Sequence, residues 1–265
     1  LQELIEKALK QEGLNVQDIF EIVLVGNPVM HHLVLGIDPV ELGGAPFALT
    51  LDTAVNCLAQ EVGLRFNAAT RVYLLPCIAG HVGADAAGAV LAEAPQDSEE
   101  ITLLIDIGTN AEIILGNCHH LMAASSPTGP AFEGAQISSG QRAAVGAIER
   151  VRINPNNYEP IYKVIGSDQW SDSADFLKEV KKTGLTGICG SGIIEIIAEM
   201  YLAGIISEDG VINGALSSKT KRIEKSGRTF CYKVTEQIAI TQADVRAIQL
   251  AKAALYAGFR LLMDK

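Results

Sequence analysis

The 265-residue chain predicts an α/β fold. Short apolar runs of strand character alternate with amphipathic helical runs along its whole length. No segment repeats at a fixed period, and glycine-rich turns stand where strands meet the next element. Hydrophobic residues make up 48% and charged residues 20%, which supports a sizeable core and excludes general disorder.

From the N-terminal side, an amphipathic pattern of Leu1, Leu4, Ile5, Ala8 and Leu9 predicts a helix that ends at Gly13, a suitable left-handed C′ residue. Ile19 to Val25 predicts a strand. Asn27 as N-cap and Pro28 at the first helical position predict a helix over 28–35. Gly36 to Phe47 is loop, 51–62 a short helix, and Val72 to Leu75 a short strand. Gly80 to Leu91 is a helix rich in small residues, Gly83-Ala84-Asp85-Ala86-Ala87-Gly88, which admits another backbone at close range. The polar stretch Pro95 to Glu100 divides the chain into regions 1–96 and 97–265.

Ile101 to Ile105 predicts a central strand, apolar on both faces. It reverses through Asp106-Ile107-Gly108-Thr109-Asn110 into a second strand, Ala111 to Leu115. A glycine-rich section spans 129–146, and the polar stretch 153–183 reads as an insertion. Gly187-Ile188-Cys189-Gly190-Ser191-Gly192 opens a helix, and Thr241-Gln242-Ala243-Asp244 forms a capping box at the head of the last one. Leu1 and Met263-Asp264-Lys265 fall within or beside helical patterns, so the chain reads as a piece of something larger.

Charge narrows the function. Residues 11–162 hold 17 acids against five arginines and no lysine, within a net charge of -10. Such a field repels nucleic acid. No apolar run reaches the roughly 18 residues of a membrane span, and no signal-peptide pattern is present. Cys57, Cys77, Cys118, Cys189 and Cys231 include no CxxC pair. That excludes a disulfide scaffold, a zinc ribbon or an iron–sulfur site made by this chain alone, and points to a reducing cytoplasm.

The segment with the most chemical content is Asp106 to Asn110. A glycine in a tight turn lets amide N–H groups face an anion, Thr109 and Asn110 add donors, and Asp106 at the strand end suits hydrated Mg²⁺. The same residues also suit an ordinary hairpin turn. Gly190-Ser191-Gly192 at a helix N-terminus offers a second anion-facing loop or, equally, close packing. Asp85, a lone acid among small residues, could orient water or merely face solvent or cap a neighbouring element. Arg142 could contact phosphate or pair with Glu133. His31-His32 and His119-His120 lack partners at metal-ligand spacing. With no lysine between 11 and 162, phosphate has to be held by amides and metal.

In chain order, LVGNPVMHHLVLGIDPVELGGAPF (24–47), YLLPCIAGHVGADAAGAVLA (73–92), LLIDIGTNAEIILGN (103–117) and the stretches 129–151, 184–206 and 240–263 resemble one family. It is the family of ATP-dependent reductive activators of corrinoid proteins, in their large C-terminal domain. Residues 153–183 and 211–235 match less well. The resemblance implies an actin-like ATPase (ribonuclease H-like) fold with two lobes around a nucleotide cleft, truncated here at both ends. Residues 1–96 would be the remainder of the first lobe with its connecting helix, and 97–265 the second lobe. It implies ATP and Mg²⁺ as ligands, with Asp106, Gly108, Thr109 and Asn110 at phosphate and metal. Asp85 would position water, and Gly190, Ser191, Gly192 and Arg142 would line the cleft. It further implies a [2Fe–2S] domain in the N-terminal part of the parent protein, a cytoplasmic homodimer, and a corrinoid protein of a methyltransferase system as partner. Ala111 stands where the family usually has glycine. The alternative is a partner-binding and dimerisation domain with a vestigial nucleotide cleft.

Overall fold

The computed structural model describes residues 1–265. The chain packs as two units: Leu1–Asp106 with Glu112–Ser125 and Gly258–Lys265, and Ile107–Ala111 with Ser126–Ala257.

In the first unit α1 (Gln2–Glu12) ends at Gly13 with φ of 70°, as the sequence predicts. Strand β1 (Glu21–Leu24) leads into α2 (Pro28–Val34), where the Asn27 side chain accepts the Met30 N–H at 2.9 Å and Pro28 begins the helix. Residues 51–62 correct the expectation of a helix. They include β2 (Val55–Leu58) and a 3-10 turn, Ala59–Val62. The run is too short for its period to show. Strand β3 (Arg71–Leu74) decides the matter by pairing antiparallel with β2 and parallel with β1. Val72, Leu74, Ala59 and Leu64 form the core of this sheet.

Helix α3 (Ala84–Glu93) begins against the β1–α2 turn. A Cβ on Gly83 would stand 2.7 Å from both Asn27 Cα and Gly26 O, so a larger residue would displace backbone here. Strands β4 (Thr102–Ile107), β5 (Ala111–Gly116) and β6 (Leu121–Ser126) follow, in that order across their sheet. A second expectation is corrected. β4 is an edge strand, with Leu103 45% exposed, and β5 is the central one, with Ala111, Ile113 and Ile114 buried. A strand's rank in a sheet depends on which neighbours pair with it, and an apolar run does not encode that.

In the second unit β7 (Ala147–Ile153) pairs antiparallel with β8 (Pro160–Val164) and parallel with β9 (Gly187–Ile188). The stretch read as an insertion holds β8 and α4 (Phe176–Thr183), and it adds Val164 and Phe176 to the core. Helix α5 (Gly190–Leu202) brings Ile193, Ile196 and Met200 into the same core as Ile148 and Ile188. Strands β10 (Ile223–Ser226), β11 (Thr229–Lys233) and β12 (Ala239–Thr241) form an antiparallel sheet. The last element is α6 (Gln242–Met263). No helix is long and apolar enough to cross a membrane.

Candidate functional site

Two carboxylates of the first unit act on a third. Asp85 is in the first turn of α3, Asp106 near the end of β4 and Glu112 on β5. Burial, and then the charges of Asp85 and Asp106, push the Glu112 carboxyl above the ordinary range, although Ser125 Oγ donates to it at 3.3 Å. The Asp85 carboxylate folds back on its own helix start, accepting the Ala86 N–H at 2.9 Å, while the Asp85 N–H donates to Gly26 O at 3.2 Å. Asp106 is exposed. It lines an open depression of about 480 Å³ between α3 and β4, together with Ala89, Ala92 and Glu93.

The turn that follows Asp106 belongs to the second unit. Gly108 N–H donates to Asn110 O at 2.9 Å, which closes the turn. Its carbonyls are held from within: Thr128 Oγ1 donates to Gly108 O at 2.8 Å and to Thr109 O at 3.1 Å, and Gly129 N–H donates to Thr109 O at 2.9 Å. With the peptide planes held this way, the Thr109 N–H donates to a carboxylate oxygen, Glu133 Oε1, at 2.9 Å. The turn therefore holds an anion at a backbone amide, the interaction a phosphate-binding turn requires.

The remaining candidates are distributed as follows. Gly190 and Gly192 both have packing reasons: a Cβ would collide with Phe132 O at the first and with Ile148 O at the second. Ser191 is exposed, and its Oγ lies 3.3 Å from Glu149 O. Arg142 is exposed and forms no ion pair with Glu133, whose carboxylate is turned to Thr109 instead. Glu112 and Thr128 escaped the sequence reading. The signal for Glu112 was present, as the one charged residue in an otherwise apolar strand beside the turn. Thr128 had none, because its role depends on contacts 19 and 20 residues away in sequence.

His32 is fully buried and engaged at both nitrogens, with Nδ1 2.8 Å from Pro28 O and Nε2 accepting the Thr50 N–H at 3.1 Å. It pins the loop after α2. No three His, Cys, Asp or Glu side chains converge as a metal cage. A single carboxylate completed by phosphate oxygens and water is a usual way of holding Mg²⁺, and Asp106 fits that requirement. The five cysteines are all free, and they do not fit an iron–sulfur cluster.

A hairpin turn that holds an anion at its amide, an acidic strand end before it and a small-residue helix leading into that strand mark the ASKHA, or actin-like ATPase, class of domain. Residues 100–265 match the family described as the C-terminal domain of RACo, the ASKHA domain, and residues 1–97 match the RACo middle region. The chain belongs to the RACo family. Corrinoid activation enzyme RamQ of Eubacterium limosum is 36% identical over 277 residues, covering 100% of this chain and 44% of that protein. The Co(II) methylated amine-specific corrinoid protein reductase of Methanosarcina barkeri is 26% identical over 222 residues, covering 78% of this chain and 41% of that protein. A solved structure, the reductive activator for corrinoid, iron-sulfur protein, superposes with a TM-score of 0.81 at 34% identity, over 99% of this chain and 40% of that one. The chain thus spans less than half the length of these relatives.

Proposed function

We propose that this chain is the ATP-hydrolysing and partner-binding part of a reductive activator that returns a corrinoid protein from Co(II) to Co(I). One electron would pass to cobalt from a [2Fe–2S] cluster carried outside this chain, and ATP binding and hydrolysis would change how the activator grips its partner. A ligand shifts such an equilibrium only by binding the two states with different affinity. The observation that carries the reading is the Asp106–Asn110 turn, with its carbonyls held by Thr128 and Gly129 and its Thr109 amide turned to an anion.

In this reading Asp106 would hold Mg²⁺, and the ion would supply positive charge to offset the phosphates. The Gly108–Asn110 turn donates to phosphate oxygens, with the Thr109 hydroxyl and Asn110 amide as further donors. Asp85 orients water. Arg142, Gly190, Ser191 and Gly192 line the nucleotide site. The parent protein acts as a homodimer in the cytoplasm; sedimentation measures the first property and cell fractionation the second.

The test is corrinoid-stimulated ATP hydrolysis by the full-length protein carrying Asp106→Asn. Loss of about 100-fold or more in kcat is expected, the scale of removing a preorganised electrostatic group. Unchanged hydrolysis would sink the assignment. Mg-ATP binding without any hydrolysis in the wild type would favour a domain kept for binding and dimerisation.

A further inference from the structure

The turn that would receive phosphate already carries a carboxylate. Besides the Thr109 N–H bond, Glu133 Oε1 lies 3.5 Å from the point where a Cβ would stand on Gly108. The carboxylate thus lies in van der Waals range of the position where a Gly108 side chain would begin, on the same side of the turn as the Thr109 N–H. Its backbone is anchored. Glu133 closes the 3-10 turn Pro130–Glu133, Gly134 follows at φ of 85°, and the Gly134 N–H bonds to Ala131 O. The close approach of Gly190 to Phe132 O holds the preceding residue in place. The Glu133 side chain is exposed and meets no lysine or arginine, so its charge is compensated by the turn amide and by solvent.

We propose that Glu133 is an internal competitor for phosphate: its carboxylate occupies the Thr109 amide in the nucleotide-free protein and must leave it when a nucleotide phosphate arrives. This rests on the reading of the turn as a phosphate site. The physical reason is charge. A carboxylate and a phosphate cannot share one N–H donor without strong like-charge repulsion, and no lysine or arginine pairs with Glu133 to offset it. Glu133 is therefore a positioning residue. It keeps the turn ordered while empty, and it lowers nucleotide affinity, which favours exchange between cycles.

The test is calorimetric titration of the full-length protein with Mg-ADP and with inorganic phosphate, in the wild type, Glu133→Ala, Glu133→Gln and Asp106→Asn. Glu133→Ala is expected to bind both probes about five- to tenfold more tightly, the scale of one charge-assisted hydrogen bond that is partly exposed. Glu133→Gln keeps the shape and loses the charge, and a smaller gain is expected; it also serves as the measure should the alanine variant fail to fold. In turnover assays KM for ATP should fall in both variants. Unchanged or weaker affinity in a folded Glu133 variant overturns the proposal and makes Glu133 a ligand or a purely structural residue. If the wild type binds neither probe, the phosphate-site reading itself fails. Binding that is lost in Asp106→Asn but not improved in the Glu133 variants upholds that reading and refutes only this inference.

Discussion

His31 and His32 are neighbours on α2 with opposite circumstances. His32 uses both ring nitrogens, whereas His31 is 3% exposed and neither of its nitrogens has a hydrogen-bond partner. Burial, and then the nearby His32, lower the His31 pKa below its ordinary 6.5. The sign follows from linkage: the unfolded chain takes up the proton first, so stability is lost as pH falls from about 6.5 through the folded value. His31→Leu is therefore expected to lose less of its Tm between about pH 7.5 and pH 5.5 than the wild type. A calorimetric pH series checks this, and parallel loss in both proteins would refute it. The glycines of α5 give a second case. Gly190→Ala or Gly192→Ala drives a methyl into a carbonyl and should cost about 3 kcal/mol. Ser191→Ala should cost under about 1 kcal/mol, since its hydroxyl makes only long contacts. Urea unfolding separates these outcomes, and nucleotide titration of Ser191→Ala shows whether that residue serves a ligand.

Between elements, carboxylates tie helices to distant segments. Asp244, 2% exposed, accepts from Thr241 N–H and Thr241 Oγ1, each at 2.8 Å, as the capping box predicts. It also accepts from Ser138 N–H at 2.8 Å and Ser138 Oγ at 3.0 Å, joining the head of α6 to the glycine-rich section. Helix α5 does the same for β7. Where β9 ends, Glu195 accepts the Val151 N–H at 2.6 Å and Glu199 the Ile153 N–H at 2.8 Å, so carboxylates replace a missing strand neighbour. Burial opposes the Glu195 charge. Hydrogen bonds from Arg152, Val151 N–H and Arg150 outweigh that penalty and hold its pKa below the usual 4.5. Its contribution to stability is present above about pH 4.5 and is lost as pH falls through the folded value. Glu195→Gln should flatten that acid limb in a thermal-melt series, and an unchanged limb would count against this account.

Over the chain as a whole, the acidic balance of residues 11–162 predicts that nucleotide binding will depend on Mg²⁺. Mg-ATP at about 100 times its Kd should stabilise the full-length protein by about 2.7 kcal/mol. For domains of this size that amounts to a rise in Tm of roughly 5–10 °C. ATP with EDTA should give little or no shift. An equal shift without the metal would remove Asp106 from its proposed role.

The α/β class, the ends of α1 and α2, the capping box of α6 and the hairpin after Asp106 are all legible in the amino-acid order. The class is written in the alternation of periods along the chain, and the others in residues within one or two turns of each other, where capping, proline geometry and glycine conformation act locally. Folding settles the rest: β4 lies at an edge, 55–58 is a strand, and 153–183 contributes to the core. It also sets Thr128 behind the turn and Glu133 in front of it, and gives Gly190 and Gly192 their packing partners. Those features arise from pairings between segments far apart in the chain, for which a local pattern of residues holds no record.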